Sequence, residues 1–324
     1  MTIIKKEIKN NIKIYTVKKD LTDEQALNLN GKKCTTKMFK NIIDHDCDVY
    51  TEDGNLLLRF RKNSLPQHNI QKFYDNVIKF AHNTTGSRGS ESMAKIKDVR
   101  TNPRIKSNIY GYFDTWTIFQ KHIFKVLKIK PPSPVRLTRF LTSHPDKWIN
   151  MIPLIKNIDQ MYKKLVPTKY KFQKKCADET AYHIADTAFT TLTTNLNTQM
   201  GIHKDSNNLK ESFGNLVVIE KGKYEGGYTG FPQYGIAVDV RTGDFLAMNT
   251  VDHWHGVTPI ILKTPDAERL SIVCYLRQGV WENTIGSKSE DIKNNQTKIN
   301  TILEKYNKKI HSKTNKYKTS KSAS

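Results

Sequence analysis

Gly201-Ile-His-Lys-Asp205 sets a histidine and an aspartate two residues apart. In an extended strand alternate side chains share a face, so His203 and Asp205 can offer an imidazole and a carboxylate to one metal ion. In a chain with ten histidines the same triplet also arises as a surface polar pair. Asp252-His-Trp-His-Gly-Val-Thr-Pro259 brings two further histidines, and His255 falls 52 residues after His203. Two His and one carboxylate form the triad that holds non-haem Fe(II) and leaves coordination positions open. His253 has the same strand parity as His255 and is the alternative third ligand. Arg269, in Glu268-Arg-Leu-Ser-Ile-Val-Cys-Tyr275, follows His255 by 14 residues, with Ser271 as the next inward position. A guanidinium fork binds a carboxylate bidentately, so a dicarboxylate chelating iron at one end would find its second anchor there. The alternative for Arg269 is a rim salt bridge with Glu268 or Asp266.

These residues lie in a β-rich stretch, with short strands expected at Thr190 to Thr194, Gly214 to Glu220, Gly235 to Val240, Phe245 to Asn249, Val257 to Leu262 and Leu270 to Leu276. Closely spaced short strands separated by Gly and Asn indicate a sandwich or barrel rather than a doubly wound sheet. Upstream, Asp53-Gly54 between two strand-like runs predicts a hairpin over Cys47 to Arg61. Pro66 followed by Ile70, Phe73, Val77, Ile78 and Phe80 predicts a helix. A strand is expected from Val135 to Leu141, then a helix carrying Ile152, Ile155, Ile158, Met161 and Leu165, with Pro153 in its first turn and Pro167 at its end. Lys5 to Lys19 reads as an early strand and Thr22 as a helix start. Tyr110, Tyr112, Phe113 and Trp116 form an aromatic run suited to a core cluster or to base stacking. The triad, the later Arg and the β-rich setting together describe a 2-oxoglutarate/Fe(II) dioxygenase of α+β class, with a double-stranded β-helix (jelly-roll or cupin-like) core and flanking helices.

Beyond these residues, Gly226-Gly-Tyr-Thr-Gly-Phe-Pro-Gln-Tyr-Gly-Ile-Ala-Val-Asp-Val-Arg-Thr-Gly-Asp-Phe-Leu, His255-Gly-Val-Thr-Pro and Arg269-Leu-Ser resemble the TET/JBP family of nucleic-acid dioxygenases. Asp46 to Arg61, Ser87-Arg-Gly89, Gly111-Tyr-Phe-Asp114 and Arg136-Leu-Thr resemble its phage, viral and protist members. The likeness spans roughly Asp46 to Trp281. It implies His203, Asp205 and His255 as Fe(2+) ligands, Arg269 as the 2-oxoglutarate anchor, O2 as oxidant and DNA as partner. The reaction implied is hydroxylation of the 5-methyl group of thymine or 5-methylcytosine, with thymine favoured by the upstream blocks. The His-Gly pair of the resemblance selects His255 over His253. Asn208 matches an Asn that contacts the target base in TET-type enzymes, a turn-capping loop Asn being the alternative. Arg88 is placed near the active site, to meet co-substrate or phosphate, or else is a solvated loop residue. The rival functions are the same chemistry on a protein or small molecule, and a DNA-binding module without turnover.

Composition frames the rest. The 324 residues carry 53 basic and 31 acidic side chains, a net charge of +22, but only ten of the basic residues are Arg. A basic surface gains affinity for phosphate by releasing counterions, while Lys beside abundant Asn and Ile is also what an A+T-biased coding sequence yields. Four cysteines without C-x-x-C spacing read as reduced thiols. No apolar run reaches membrane-spanning length, and the start lacks a signal-peptide core, so a soluble intracellular protein is expected, in the nucleus or in a virus-infected host compartment. The expected organisation is an N-terminal extension (1–45), an oxygenase domain (46–285, β-helix core about 188–281) and a basic, partly disordered tail (286–324). A possible helix lies near Ile299 to Ile310.

Overall fold

The computed structural model describes residues 3–85, 93 and 104–321, with side chains up to Ile310. Arg88 lies outside the described residues. Two facing sheets organise the chain, and the period-2 alternation of the strands determines what each face buries. In the large sheet the neighbours run Leu56–Arg61, Phe245–Met248, Gly214–Lys221, Glu268–Tyr275, Thr191–Leu196 and Ser107–Phe113, all antiparallel. Val217, Ile219, Phe245, Ala247, Leu270, Ile272 and Cys274 face a layer of helices. Leu216, Val218, Leu246 and Met248 point the other way, onto Phe231, Tyr234, Ile236 and Val238 of the smaller sheet. That sheet is ordered Gly256–Val257, Thr229–Phe231, Ile236–Val238, Asn41–Ile43. The architecture is a double-stranded β-helix with helices packed on one outer face.

The hairpin forms as expected, Cys47–Thr51 against Leu56–Arg61, with Gly54 at φ 82° in the turn. Helix Gln67–Ala81 places Ile70, Phe73, Val77 and Ala81 on the sheet. Helix Pro145–Leu165 beside it buries Met151, Leu154, Ile155, Ile158, Tyr162 and Leu165. Truncating one such side chain to Ala costs about 2–5 kcal/mol.

Several expectations are corrected. Only Arg136–Leu137 of the expected strand pairs, because Arg139–Ser143 turns helical after Thr138. The next helix begins at Pro145 rather than near Ile152, so Pro153 sits in its interior. Pro153 has no N–H to give, and the carbonyl four residues earlier belongs to exposed Ile149, where water can satisfy it. Pro167 ends that helix but also opens another, Pro167–Asp178, its fixed φ suiting a first turn. The expected run Val257 to Leu262 is split at Pro259 between two sheets. Residues before 46 are no mere extension: Ile3–Lys9 and Ile12–Val17 continue the large sheet, and Asn41–Ile43 pairs parallel to Ile236–Val238. In the C-terminal segment the helix expected near Ile299 to Ile310 extends over Ser289–Lys321. Its first half is anchored because Ile299, Ile302 and Leu303 cover Trp116 and Phe124. The four cysteines are buried and free. Among the described residues no helix is long and apolar enough to cross a membrane.

Candidate active site

His203, Asp205 and His255 converge between the sheets, with one donor atom from each lying within 4.8 Å of the others. Two backbone bonds lock the histidines side by side: His203 N–H donates to His255 O at 2.9 Å, and His255 N–H to His203 O at 3.0 Å. The chain approach this needs depends on Gly256. A Cβ there would lie 3.0 Å from the Cys34 Cβ and 3.3 Å from the Ile202 Cα. The His-Gly pair is thus a packing requirement as well as a motif.

Each ring is oriented from behind. His203 Nδ1 donates to Gly201 O at 2.7 Å and His255 Nδ1 to His253 O at 3.3 Å, since a carbonyl can only accept. That tautomer leaves Nε2 of each ring as the ligand atom. Asp205 Oδ1 is 3.5 Å from His203 Nε2, while Asp205 Oδ2 accepts from Asn208 Nδ2 at 3.2 Å. Burial alone would raise the Asp205 pKa, but the His203 contact and the neighbouring imidazoles outweigh it and hold the carboxyl well below the usual range. A carboxylate and two imidazoles that present Nε2 toward it are a fitting donor set for Fe(II).

His253 is directed elsewhere, its Nδ1 3.0 Å from the Tyr234 hydroxyl, against whose ring it packs edge-on. Asn208 is buried and touches the Asp205 carboxylate. It therefore orients a candidate ligand, a role the residue spacing did not suggest, although it also lines the cavity.

The cavity of about 130 Å³ in front of the triad is lined by Arg269, Ser271, Val273 and Tyr275, alternate residues of one strand whose intervening side chains pack on the helices. Arg269 is only 1% exposed, and its Nε and Nη2 have no hydrogen-bond partner among the described residues. Burial pulls its pKa below the ordinary value, opposed by the Tyr224 phenol beside it. Gly227, at φ +70°, makes room for the guanidinium, since a Cβ there would lie 2.6 Å from Nε. The Thr229 hydroxyl in the same cavity is likewise buried and unpartnered among the described residues. A buried guanidinium with two nitrogens left unpartnered among the described residues, beside an idle hydroxyl, is costly unless an anion completes it, and a carboxylate of 2-oxoglutarate has the required charge and geometry. Ser271 exchanges weak hydrogen bonds with Asn195, whose amide oxygen accepts from Ser107 at 2.6 Å. Asn195 and Arg277 are cavity residues that the motifs do not contain, and Thr229 lies inside one of them without its spacing suggesting a role. Strand parity could have flagged Asn195, whereas Thr229 and Arg277 enter through tertiary packing.

Fold and donor set define an oxygenase domain of the 2-oxoglutarate/Fe(II) class. Residues 124–278, which contain the three candidate ligands and Arg269, match the Tet_JBP family, the oxygenase domain of the 2OGFeDO superfamily. This stretch, just under half of the chain, matches that family's oxygenase domain. The chain is 34% identical over 131 residues, 40% of its length, to the bifunctional helicase and thymine dioxygenase JBP2 of Leishmania tarentolae. To JBP2 of Trypanosoma brucei brucei it is 29% identical over 256 residues, 77% of its length. The matches span only 12% and 22% of those relatives. Among solved structures, NgTET1 in complex with 5mC DNA aligns over 86% of this chain and 100% of its own, at TM-score 0.50 and 15% identity, a likeness of fold.

Proposed function

We propose that this chain is an Fe(II)- and 2-oxoglutarate-dependent dioxygenase that hydroxylates the 5-methyl group of a pyrimidine in DNA, thymine before 5-methylcytosine. The observation that carries the reading is the convergence of His203, Asp205 and His255 on the same small cavity as the buried Arg269 guanidinium, whose Nε and Nη2 have no partner among the described residues. The naming of the JBP2 relatives as thymine dioxygenases supports thymine, and the surplus of 53 basic over 31 acidic residues suits a polyanion.

With Fe(II), 2-oxoglutarate and O2 bound, the site would have the oxidising power to exchange a methyl C–H for C–OH while 2-oxoglutarate is converted to succinate and CO2. The chain's own contribution is placement. His203, Asp205 and His255 would hold the metal. Arg269 and Thr229 would hold the far carboxylate, fixing which end of the dicarboxylate reaches the metal. Leu216, Met248, Val257 and Val273 line the cavity and limit water at the reacting centre. Arg277 and Asn208 line the same cavity as polar groups for an incoming nucleotide. A base in a duplex would have to leave its stack to reach this depth, at a cost of a few kcal/mol.

The test is incubation of anaerobically iron-loaded protein with 2-oxoglutarate and thymine- or 5-methylcytosine-containing DNA, followed by O2 and mass spectrometry of the nucleosides. A hydroxymethylated pyrimidine is expected, formed with succinate. Normal iron binding and succinate release with no oxidised pyrimidine would move the substrate outside DNA.

A further inference from the structure

A second cleft, of about 630 Å³, lies outside the metal site, between helix Ile118–Leu127, the segment Arg136 to Thr142 and the first half of helix Ser289–Lys321. Its wall is firmly built. Trp116 and Phe124 meet edge to face at 5.1 Å, Ile299, Ile302 and Leu303 close over them, and Phe119 meets Tyr306 at 6.0 Å.

The chemistry of the cleft is one-sided. Among the described residues its charged lining consists of Arg136 and Arg139, and none of the lining residues is acidic. Arg136 is steered by backbone carbonyls, Nε donating to Thr115 O at 2.7 Å and Nη1 to Leu137 O at 3.3 Å. Burial lowers its pKa to about 10, opposed by the charge of Asp114, yet that carboxylate is committed to Arg277. Arg139 is exposed and forms no ion pair among the described residues. Side-chain amides of Gln120, Asn295, Gln296 and Asn300 also line the cleft. Two guanidiniums in a lining that holds no carboxylate suit a ligand with several anionic oxygens.

Position identifies the ligand. The Arg136 guanidinium lies 5.5 Å from the centre of the Phe113 ring, and that of Arg277 lies 4.1 Å from the same ring. Arg277 lines the metal-site cavity and Arg136 lines the cleft, so guanidiniums of the two sites share one aromatic ring. Arg139 adds a second cation to the cleft. Phe119, a lining residue that is 59% exposed, offers a face on which a base can stack.

We propose that this cleft is a phosphodiester-binding site, holding the backbone of the same nucleic-acid strand whose target pyrimidine enters the metal-site cavity. The inference rests on the proposed DNA substrate, and an acidic protein segment is the competing occupant.

The test uses the full chain and a fluorescently labelled, thymine-containing oligonucleotide. Binding is followed by anisotropy across a salt series, with nucleoside oxidation measured in parallel. Arg139→Glu should weaken binding about tenfold and make the salt dependence shallower, by about one unit of log–log slope for each phosphate that is no longer neutralised. Affinity for 2-oxoglutarate should stay unchanged, as should oligonucleotide binding in the control Lys171→Glu, which lies outside the cleft. Asn300→Asp should weaken binding in the same direction and guards against an idiosyncratic effect of one variant. Oligonucleotide bound and oxidised equally by wild type and Arg139→Glu would overturn the cleft and leave the proposed activity standing. Arg139-dependent binding without any oxidation would support the cleft and count against that activity. Displacement of the oligonucleotide by poly-glutamate at equal charge concentration would overturn the phosphodiester assignment in favour of an acidic partner.

Discussion

Arg269→Met should stabilise the ligand-free protein while removing its affinity for 2-oxoglutarate. The guanidinium is 1% exposed with Nε and Nη2 unpartnered among the described residues, so the folded chain bears the desolvation of a cation that Tyr224 and Glu220 offset only in part. Replacing buried ionic groups by apolar side chains of similar volume commonly stabilises by about 1–4 kcal/mol, and an unbranched Met follows the same path past Gly227. On the binding side, two charge-assisted hydrogen bonds at about 1.5–3 kcal/mol each give about 3–6 kcal/mol. That corresponds to about a 10²- to 10⁴-fold loss of affinity. Urea unfolding with and without 2-oxoglutarate measures both effects. Wild type should gain about 2.7 kcal/mol at one hundred times its dissociation constant, and the variant nothing. A ligand-free variant less stable than wild type, or one that still responds to 2-oxoglutarate, would refute the view of Arg269 as an anchor held in readiness for an anion.

His255→Ala should abolish iron retention, measured by metal analysis after desalting, whereas His253→Ala should retain iron because its ring is held by Tyr234 outside the triad. Asn208→Ala removes the amide that orients Asp205 and should weaken metal affinity about 10- to 100-fold, read by competition with a chelator. Glu220 gives a pH-dependent test. Burial raises its pKa, but the Thr242 N–H and the Arg241 guanidinium outweigh that and hold the carboxyl below its ordinary value. A depressed folded-state pKa stabilises at pH above the unfolded value of about 4.3, and the contribution is lost as pH falls through the lower folded value. Glu220→Gln should therefore lose stability at neutral pH and show a flatter acid limb in denaturant titrations.

The positive charge of the chain shows how the two levels of description differ. In the sequence, the lysines near the C-terminus belong to an appendage. In the fold, the first half of that appendage walls a cleft whose cations are Arg136 and Arg139, far away in the chain. Likewise, Ile3–Lys9 and Ile12–Val17 carry no local signal that they extend the sheet holding the site. Their place depends on the parallel pairing with Cys47–Thr51.

What the chain determines by itself is whatever a few neighbouring residues can encode. The turn at Asp53-Gly54, the apolar spacing after Pro66 and the shared parity of His203 with Asp205, or of Arg269 with Ser271, all follow from backbone geometry over at most a helical turn or two. The residue types likewise announced a donor set for a metal and an anchor for an anion. Packing between distant segments decided the rest. It set His255 across from His203 and sent His253 to Tyr234, assigned Asn208 to Asp205, and buried Arg269 beside Gly227 with two of its nitrogens unpartnered among the described residues. Most of these choices depend on segments distant in the chain, where hydrogen bonding and close packing select among side chains that strand parity alone makes equivalent.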